Sequence, residues 1–324
     1  MNFARLLVLA VLASAAIAAP LRAEEAWPAR PVRMVIGTTA GTGGDVLLRL
    51  VANSMSQSLM QPVIVENKVG ANGLVATADV ANSRPDGYTV LFGGASATVI
   101  NQALQPALAV NVLDKLSPVA QLGAGGVNLV VAPDFPATNL REFIAHAKAH
   151  PGQINYATWG VGSSGHLVME WLKNRYGLNL SHVPYKSTPQ IYQDMAGGLV
   201  KVAFVDAASS VPLVKAGKIK ALGNSGTARA PGLADVLTFK EQDVDFAVDG
   251  WYGVFVPRAT PDAVVSRLHR EIIKVLADPE IRARMLQLNL SSPPPKSSTE
   301  FKQIVAADLK VWQSIVRTNA IKVD

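Results

Sequence analysis

The 324-residue chain contains no cysteine. That excludes disulfides, thiolate metal sites and a sulfur-linked lipid anchor. It has no Lys/Arg run and no basic stripe interleaved with aromatics, so no nucleic-acid partner is expected. Beyond its first twenty residues it has no apolar stretch long enough to span a bilayer. Charged residues are sparse at 17% against 49% apolar, a globular composition. The net charge of +6 falls by two, to +4, once Arg5 and Arg22 are removed with the leader described next. Such a weak positive field modestly favours encounter with anions.

What is present begins with a leader. Arg5 precedes an apolar stretch, Leu6 to Ala19, which Pro20 breaks. This reads as a secretory signal over residues 1–23, cleaved after Ala23, with Ala18 as the alternative. A disulfide-free exported chain fits the bacterial periplasm. The remaining chain of about 300 residues is large enough for two domains.

Two stretches read as one device used twice. Val32 to Ile36 leads into Gly37-Thr38-Thr39-Ala40-Gly41-Thr42-Gly43-Gly44-Asp45 and then an amphipathic run. Gln153 to Thr158 leads into Trp159-Gly160-Val161-Gly162-Ser163-Ser164-Gly165-His166 and a second such run. Each is a strand, a glycine and hydroxyl loop, and a helix. Such a loop directs backbone N–H groups and a helix N-terminus at whatever sits above it, which suits an anion. Two of them, a domain apart, suggest two lobes gripping one anionic ligand. A third Gly/hydroxyl loop, Gly93 to Thr98, follows the strand Tyr88 to Phe92.

Strand and helix signals alternate through the first two thirds, which predicts α/β architecture with mostly parallel sheets. Leu74–Ala81, Val99–Leu104, Leu140–Ala149, Gln190–Ala196 and Ser209–Ala216 read as helices. Val119–Leu122 and Asn128–Val131 read as two short strands where the chain first crosses between lobes. Asp249–Val256 reads as the strand that returns. A helical run from Pro261 through Gln287 is followed by a Pro/Ser break at Ser291–Ser298 and a last helix through Val316. Two crossings make a hinge.

Several enzymatic readings lack a necessary residue. Gly160-Val161-Gly162-Ser163-Ser164-Gly165 matches a dinucleotide fingerprint, but no acid stands about twenty positions on to hold a ribose. The first loop lacks the Lys-Ser/Thr of a phosphate-cradling loop, and N-capping is the expected task of Asp45. Ser163, Ser164 and His166 lack the elbow of a serine hydrolase. Glu142, His146 and His150 share a helix face, without a further ligand set to complete a metal site. No cofactor and no metal are expected.

Further segments carry a family resemblance: Trp27 to Arg33, Gln61 to Lys68, Pro85 to Thr89, Ile154 to Ala157, His182 to Lys186 and Lys215 to Leu222. In this order they resemble the Bug family, the periplasmic solute-binding proteins of tripartite tricarboxylate transporters, over essentially the whole mature chain. The resemblance implies a two-lobe periplasmic-binding-protein fold (type II-like), each lobe a mostly parallel sheet flanked by helices. The lobes are expected at 24–124 plus 247–324 and at 125–246. It also implies a small carboxylate ligand, di- or tricarboxylate or aromatic, delivered to membrane permease subunits by a non-enzymatic receptor, expected as a monomer. A sensor feeding a signalling receptor, and an exported serine-type hydrolase, are the alternatives. Expected cleft contacts are Thr38, Thr39, Gly43, Gly44, Ser96, Ala97, Thr158, Trp159, Ser163, Ser164, Tyr185 and Asp206. The first loop departs from the family in losing prolines and gaining hydroxyls, and the second in carrying Trp159 and Val161. These departures lean toward an aromatic or otherwise flat carboxylate.

Overall fold

The computed structural model describes residues 27–105, 111–287 and 294–321. The expected leader at 1–23 and the part of the Pro/Ser break at 291–293 lie outside them. The strands among these residues are β1 (Val32–Ile36), β2 (Val63–Asn67), β3 (Thr89–Gly94), β4 (Leu116–Gly125), β5 (Val127–Val131), β6 (Ile154–Thr158), β7 (Leu180–Pro184), β8 (Val202–Asp206), β9 (Lys220–Asn224) and β10 (Gly250–Pro257). The α-helices are α1 (Gly43–Leu59), α2 (Leu74–Ala81), α3 (Asn101–Leu104), α4 (Val112–Lys115), α5 (Leu140–Ala149), α6 (Ser164–Tyr176), α7 (Thr188–Ala196), α8 (Ala207–Lys215), α9 (Asp262–Ala277), α10 (Pro279–Gln287) and α11 (Ser298–Thr318).

The strands form two five-stranded sheets of one topology, β2-β1-β3-β10-β4 and β7-β6-β8-β5-β9. In each, four strands point the same way and one is reversed, β10 in the first and β5 in the second. The reversed strand is the one that has just arrived from the other sheet. β4 ends at Gly125 and β5 starts at Val127, so β5 begins where the forward strands of its new sheet end. Val127 pairs with Asp206, the last residue of β8. β10 repeats this on the return, with Gly250 opposite Gly125. All forward strands therefore end at the junction of the two sheets, where their loops meet.

Apolar alternation fixes which face each strand buries. Val32, Met34 and Ile36 of β1 are buried against α1 and α9, in one cluster with Leu47, Val51, Met55 and Ile272. Val35 points to the opposite face and joins a cluster that runs from the first sheet through Phe301 and Trp312 of α11 to Leu167 and Phe204 of the second lobe. Leu47, Val51, Met55 and Leu59 recur every four residues along α1 and are buried, each worth about 1.5–3 kcal/mol of transfer free energy.

Three segments differ from the sequence reading. The short strand expected at Val119–Leu122 extends over Leu116–Gly125, because β10 pairs along its whole length. The helix expected at Val99–Leu104 starts with a π turn at Ser96–Ile100. The helical run through Gln287 is broken at Asp278, whose ψ of 124° is extended.

α11 also carries a titratable group in its contact with β10. Asp308 accepts the indole N–H of Trp251 at 2.9 Å and that of Trp312 at 3.3 Å. Burial pushes its carboxyl up to about 6, although both hydrogen bonds favour the charged form. In an unfolded chain a carboxyl titrates near about 3.9. The unfolded state gives up this proton first, so the group makes stability fall as pH rises from about 4 to about 6. Asp308→Asn is expected to gain roughly 2 kcal/mol on the wild type between pH 4.5 and pH 7. Thermal unfolding of both proteins across that range checks this, and parallel pH profiles would refute it.

Candidate ligand-binding cleft

The loops at the strand ends enclose a cavity of about 660 Å³ between the sheets. Its wall is assembled from the segments after β1, β2, β3, β6, β7 and β8. Helices α1, α2, α6, α7 and α8 begin in or beside those segments, so their positive ends converge on one space. Lys186 and Asp206 are the charged residues on this wall among the described residues.

The twin device has the same local geometry in both lobes. Thr42 caps α1 by accepting the Asp45 N–H, and Ser163 caps α6 by accepting the His166 N–H. In each case the bond reaches three residues ahead, which leaves the first two N–H groups of the helix without an intrahelical acceptor. These are the N–H groups of Gly43 and Gly44 in one lobe and of Ser164 and Gly165 in the other. The Ser164 N–H reaches across the cleft to Ser96 Oγ at 3.2 Å.

Asp45 is not the cap. It lies in the first turn of α1, 2% exposed, and accepts the Gly41 N–H, Arg49 Nε and Asn67 Nδ2 at 2.9, 3.0 and 2.8 Å. Its burial opposes ionisation, but the hydrogen bonds from Arg49, Asn67 and Gly41 outweigh it and hold the carboxyl below its ordinary value. The charge is thus neutralised behind the loop and kept off the cavity wall.

Of the expected contacts, Thr38, Thr39, Gly43, Ser96, Ala97, Trp159, Ser164, Tyr185 and Asp206 line the cavity. Gly44, Thr158 and Ser163 do not. Gly44 lies beneath the Tyr252 ring. Thr158 is fully buried; its hydroxyl donates to Gly160 O at 3.0 Å and meets His182 Nε2 at 2.7 Å. Ser163 is fully buried as a cap. These three shape the loops without touching the space. The Tyr185 hydroxyl, at the cavity wall, donates to Asp194 at 2.7 Å. Asp206 caps α8 through the Ser209 N–H at 2.9 Å and also accepts Ser209 Oγ at 2.7 Å.

Behind the second loop, His166 stacks on His182 at 4.2 Å, and His182 on Tyr156 at 4.9 Å. His166 Nδ1 accepts the Gly162 N–H at 3.2 Å. That bond fixes the tautomer and turns Nε2–H toward Glu170, 3.9 Å away. Burial lowers the His166 pKa, and burial together with its neighbour His166 takes His182 down to about 3. Both rings are neutral struts for the loop. His166 is a poor base for Ser163, since Ser163 Oγ faces its backbone N–H and not its ring. Glu142 is used by Thr138, and His150 by the His146 carbonyl. Among the described residues no cluster of three or more His, Asp or Glu is placed to hold a metal, and no helix is long and apolar enough to cross a membrane.

The sequence reads Gly70 to Gly73, after β2, as a turn, but gives it no part in the cleft. Gly70, Ala71, Asn72 and Gly73 all have positive φ, a run that places Asn72 against the other lobe. Its amide donates to Gly162 O at 2.8 Å, and its own carbonyl accepts Asn101 Nδ2 at 3.2 Å. The Asn-Gly pair was a usable signal, since Asn tolerates this region better than most residues. Lys186, Phe92 and Tyr252 on the wall were also missed.

Residues 47–321 match the family described as "Tripartite tricarboxylate transporter family receptor". Among curated proteins, BugT of Bordetella pertussis (strain Tohama I) is 30% identical over 326 residues, covering 99% of both chains. Among solved structures, MatC from Rhodopseudomonas palustris with bound malate is 30% identical, covers 90% of this chain and 100% of its own, and superposes with a TM-score of 0.84. The periplasmic binding protein BugD is 29% identical, covers 91% and 99%, and gives 0.83. The family is described as a receptor family, and BugD as a periplasmic binding protein.

Proposed function

The chain belongs to the tripartite tricarboxylate transporter receptor family, and from that premise we propose that it captures a small carboxylate in the cleft and delivers it to a membrane permease. The observation that carries this reading is the convergence of five helix starts on a single cavity whose wall has one acid, Asp206. A carboxylate placed there takes hydrogen bonds from the Gly43 N–H on the wall and from the hydroxyls of Thr39, Ser96 and Ser164. It needs no arginine. Malate, the ligand of MatC, belongs to the class assigned to this cleft.

The lobes divide at the two crossings, Gly125–Val127 and residues 225–249, and these act as the hinge. A ligand touching both lobes shifts the population toward the closed form, which docks on the permease. The Asn72–Gly162 and Ser96–Ser164 hydrogen bonds join the lobes directly and add to closure. Residues 1–23 are a cleavable leader that sends the protein to the periplasm, where it works as a monomer.

The test is a thermal-shift screen of the mature protein against mono-, di- and tricarboxylic acids. A ligand that binds only the native state stabilises it by mass action, by about 2.7 kcal/mol at a hundredfold excess over Kd, and so raises the melting point. A shift with one class of acid is expected. Silence from every acid, with native ligand first removed by denaturation and refolding, would overturn the reading.

A further inference from the structure

Of the five helix starts at the cleft, the two that follow the twin loops, α1 and α6, each carry an aromatic ring against their second residue. In the first lobe a Cβ on Gly44 would stand 2.9 to 3.2 Å from Cε1, Cζ and the hydroxyl of Tyr252. In the second, a Cβ on Gly165 would stand 3.1 and 3.2 Å from Cζ3 and Cη2 of Trp159. Tyr252 is itself backed by Phe92, stacked at 5.3 Å with 16° between the planes. Trp159, Phe92 and Tyr252 line the same cavity from opposite sheets. The aromatic residues of the two lobes therefore flank the cavity at its two twin-loop helix starts.

From this we infer that the preferred ligand is a monocarboxylate with a flat aromatic body, its carboxylate at the helix starts and its ring between Trp159 and the Tyr252–Phe92 pair. The inference rests on the carboxylate-receptor reading above. A ring slides against aromatic faces in offset or edge contact, with a gain beyond the area it buries. A second carboxylate there would face the negative π faces of those rings. It would also lie in the field of Asp206, with Lys186 as the cation of the wall. The volume of about 660 Å³ lies within the range of about 300–1,000 Å³ typical of pockets that enclose a sizeable apolar body.

Titration calorimetry of the purified protein with benzoate, phenylacetate, malate and adipate tests this, beside Trp159→Leu, which keeps an apolar side chain at that place. One of the aromatic acids is expected to bind at least about tenfold tighter than either aliphatic diacid, and to quench tryptophan fluorescence. Trp159→Leu is expected to weaken the aromatic acid at least about tenfold, and any aliphatic acid less than about twofold, with the protein still folded by its cooperative melting curve. Tighter binding of malate or adipate overturns the inference and leaves the receptor reading standing. An equal loss for both classes in Trp159→Leu also overturns it, since Trp159 would then be shaping the loop alone. Binding of no acid in either class overturns both.

Discussion

Ser164→Phe is expected to give a folded protein whose affinity for its ligand has fallen at least about a hundredfold, or about 2.7 kcal/mol. Ser164 is the first residue of α6, 8% exposed, with its free surface on the cavity. A phenyl group there fills the space beside the first-turn N–H groups of the second lobe. It also crowds Ser96, whose hydroxyl oxygen receives the Ser164 N–H across the cleft. The helix itself is spared, because Ser163 still caps it and Leu167, Val168 and Leu172 still pack beneath it. Stability should therefore fall by no more than the roughly 1–3 kcal/mol of a small-to-large substitution, with the protein still folded. Ser164→Ala, which adds no bulk, should bind within a few-fold of the wild type. Calorimetric titration with the screened ligand, together with melting curves, reads both quantities. A Phe variant that binds normally would place the ligand elsewhere.

Gly126→Val is expected to cost roughly 2 to 6 kcal/mol, a large share of a typical domain's stability. The two chain crossings meet at this residue. A Cβ here would stand 2.1 Å from Asn224 Oδ1 and 2.2 Å from the backbone nitrogen of Gly226. The Asn224 side chain cannot swing away. Its oxygen accepts the Gly226 N–H at 2.8 Å and its amide donates to Asn128 at 2.7 Å. Asn128 in turn donates to Ser210 at 2.9 Å. Overpacking costs about 1–3 kcal/mol. Stranding a buried partner of this polar chain costs a further 1–3 kcal/mol or so. Urea unfolding measures the sum, and a midpoint equal to the wild type's would show that the crossings tolerate separation.

The parts of the fold that were legible in the sequence are those settled within a few residues. The helix Leu74–Ala81 was read with the ends it has, and the twin loops after β1 and β6 were recognised from glycine and hydroxyl content alone. A cap is a bond from a side chain to an N–H three residues on, so Thr42 and Ser163 carry their geometry in their own neighbourhood. The error over Asp45 was one of position within that same turn: the hydroxyl three residues before it holds the cap, and the acid reaches back to Gly41.

The cleft contacts divide on the same principle. Strand ends followed by small residues marked Thr38, Thr39, Ser96 and Ser164 without any knowledge of partners. Whether a residue in such a loop faces the cavity or the core is decided by what packs behind it. Thr158 and Ser163 were drawn inward by His182 and by the His166 backbone, and Tyr185 was claimed by Asp194.

The sequence alone therefore determined the α/β alternation, the two anion-suited loops, the lack of thiol chemistry and the family. All of these are local patterns or ordered sets of local patterns. The tertiary structure alone decided that β5 and β10 run backwards, since apolar alternation is the same in either direction. It alone brought Asn72 to Gly162, 90 residues away, Tyr252 onto Gly44, and Trp251 to Asp308. Those contacts exist because the chain crosses twice between sheets, and hydrophobic periodicity carries no record of which distant element will lie across a gap.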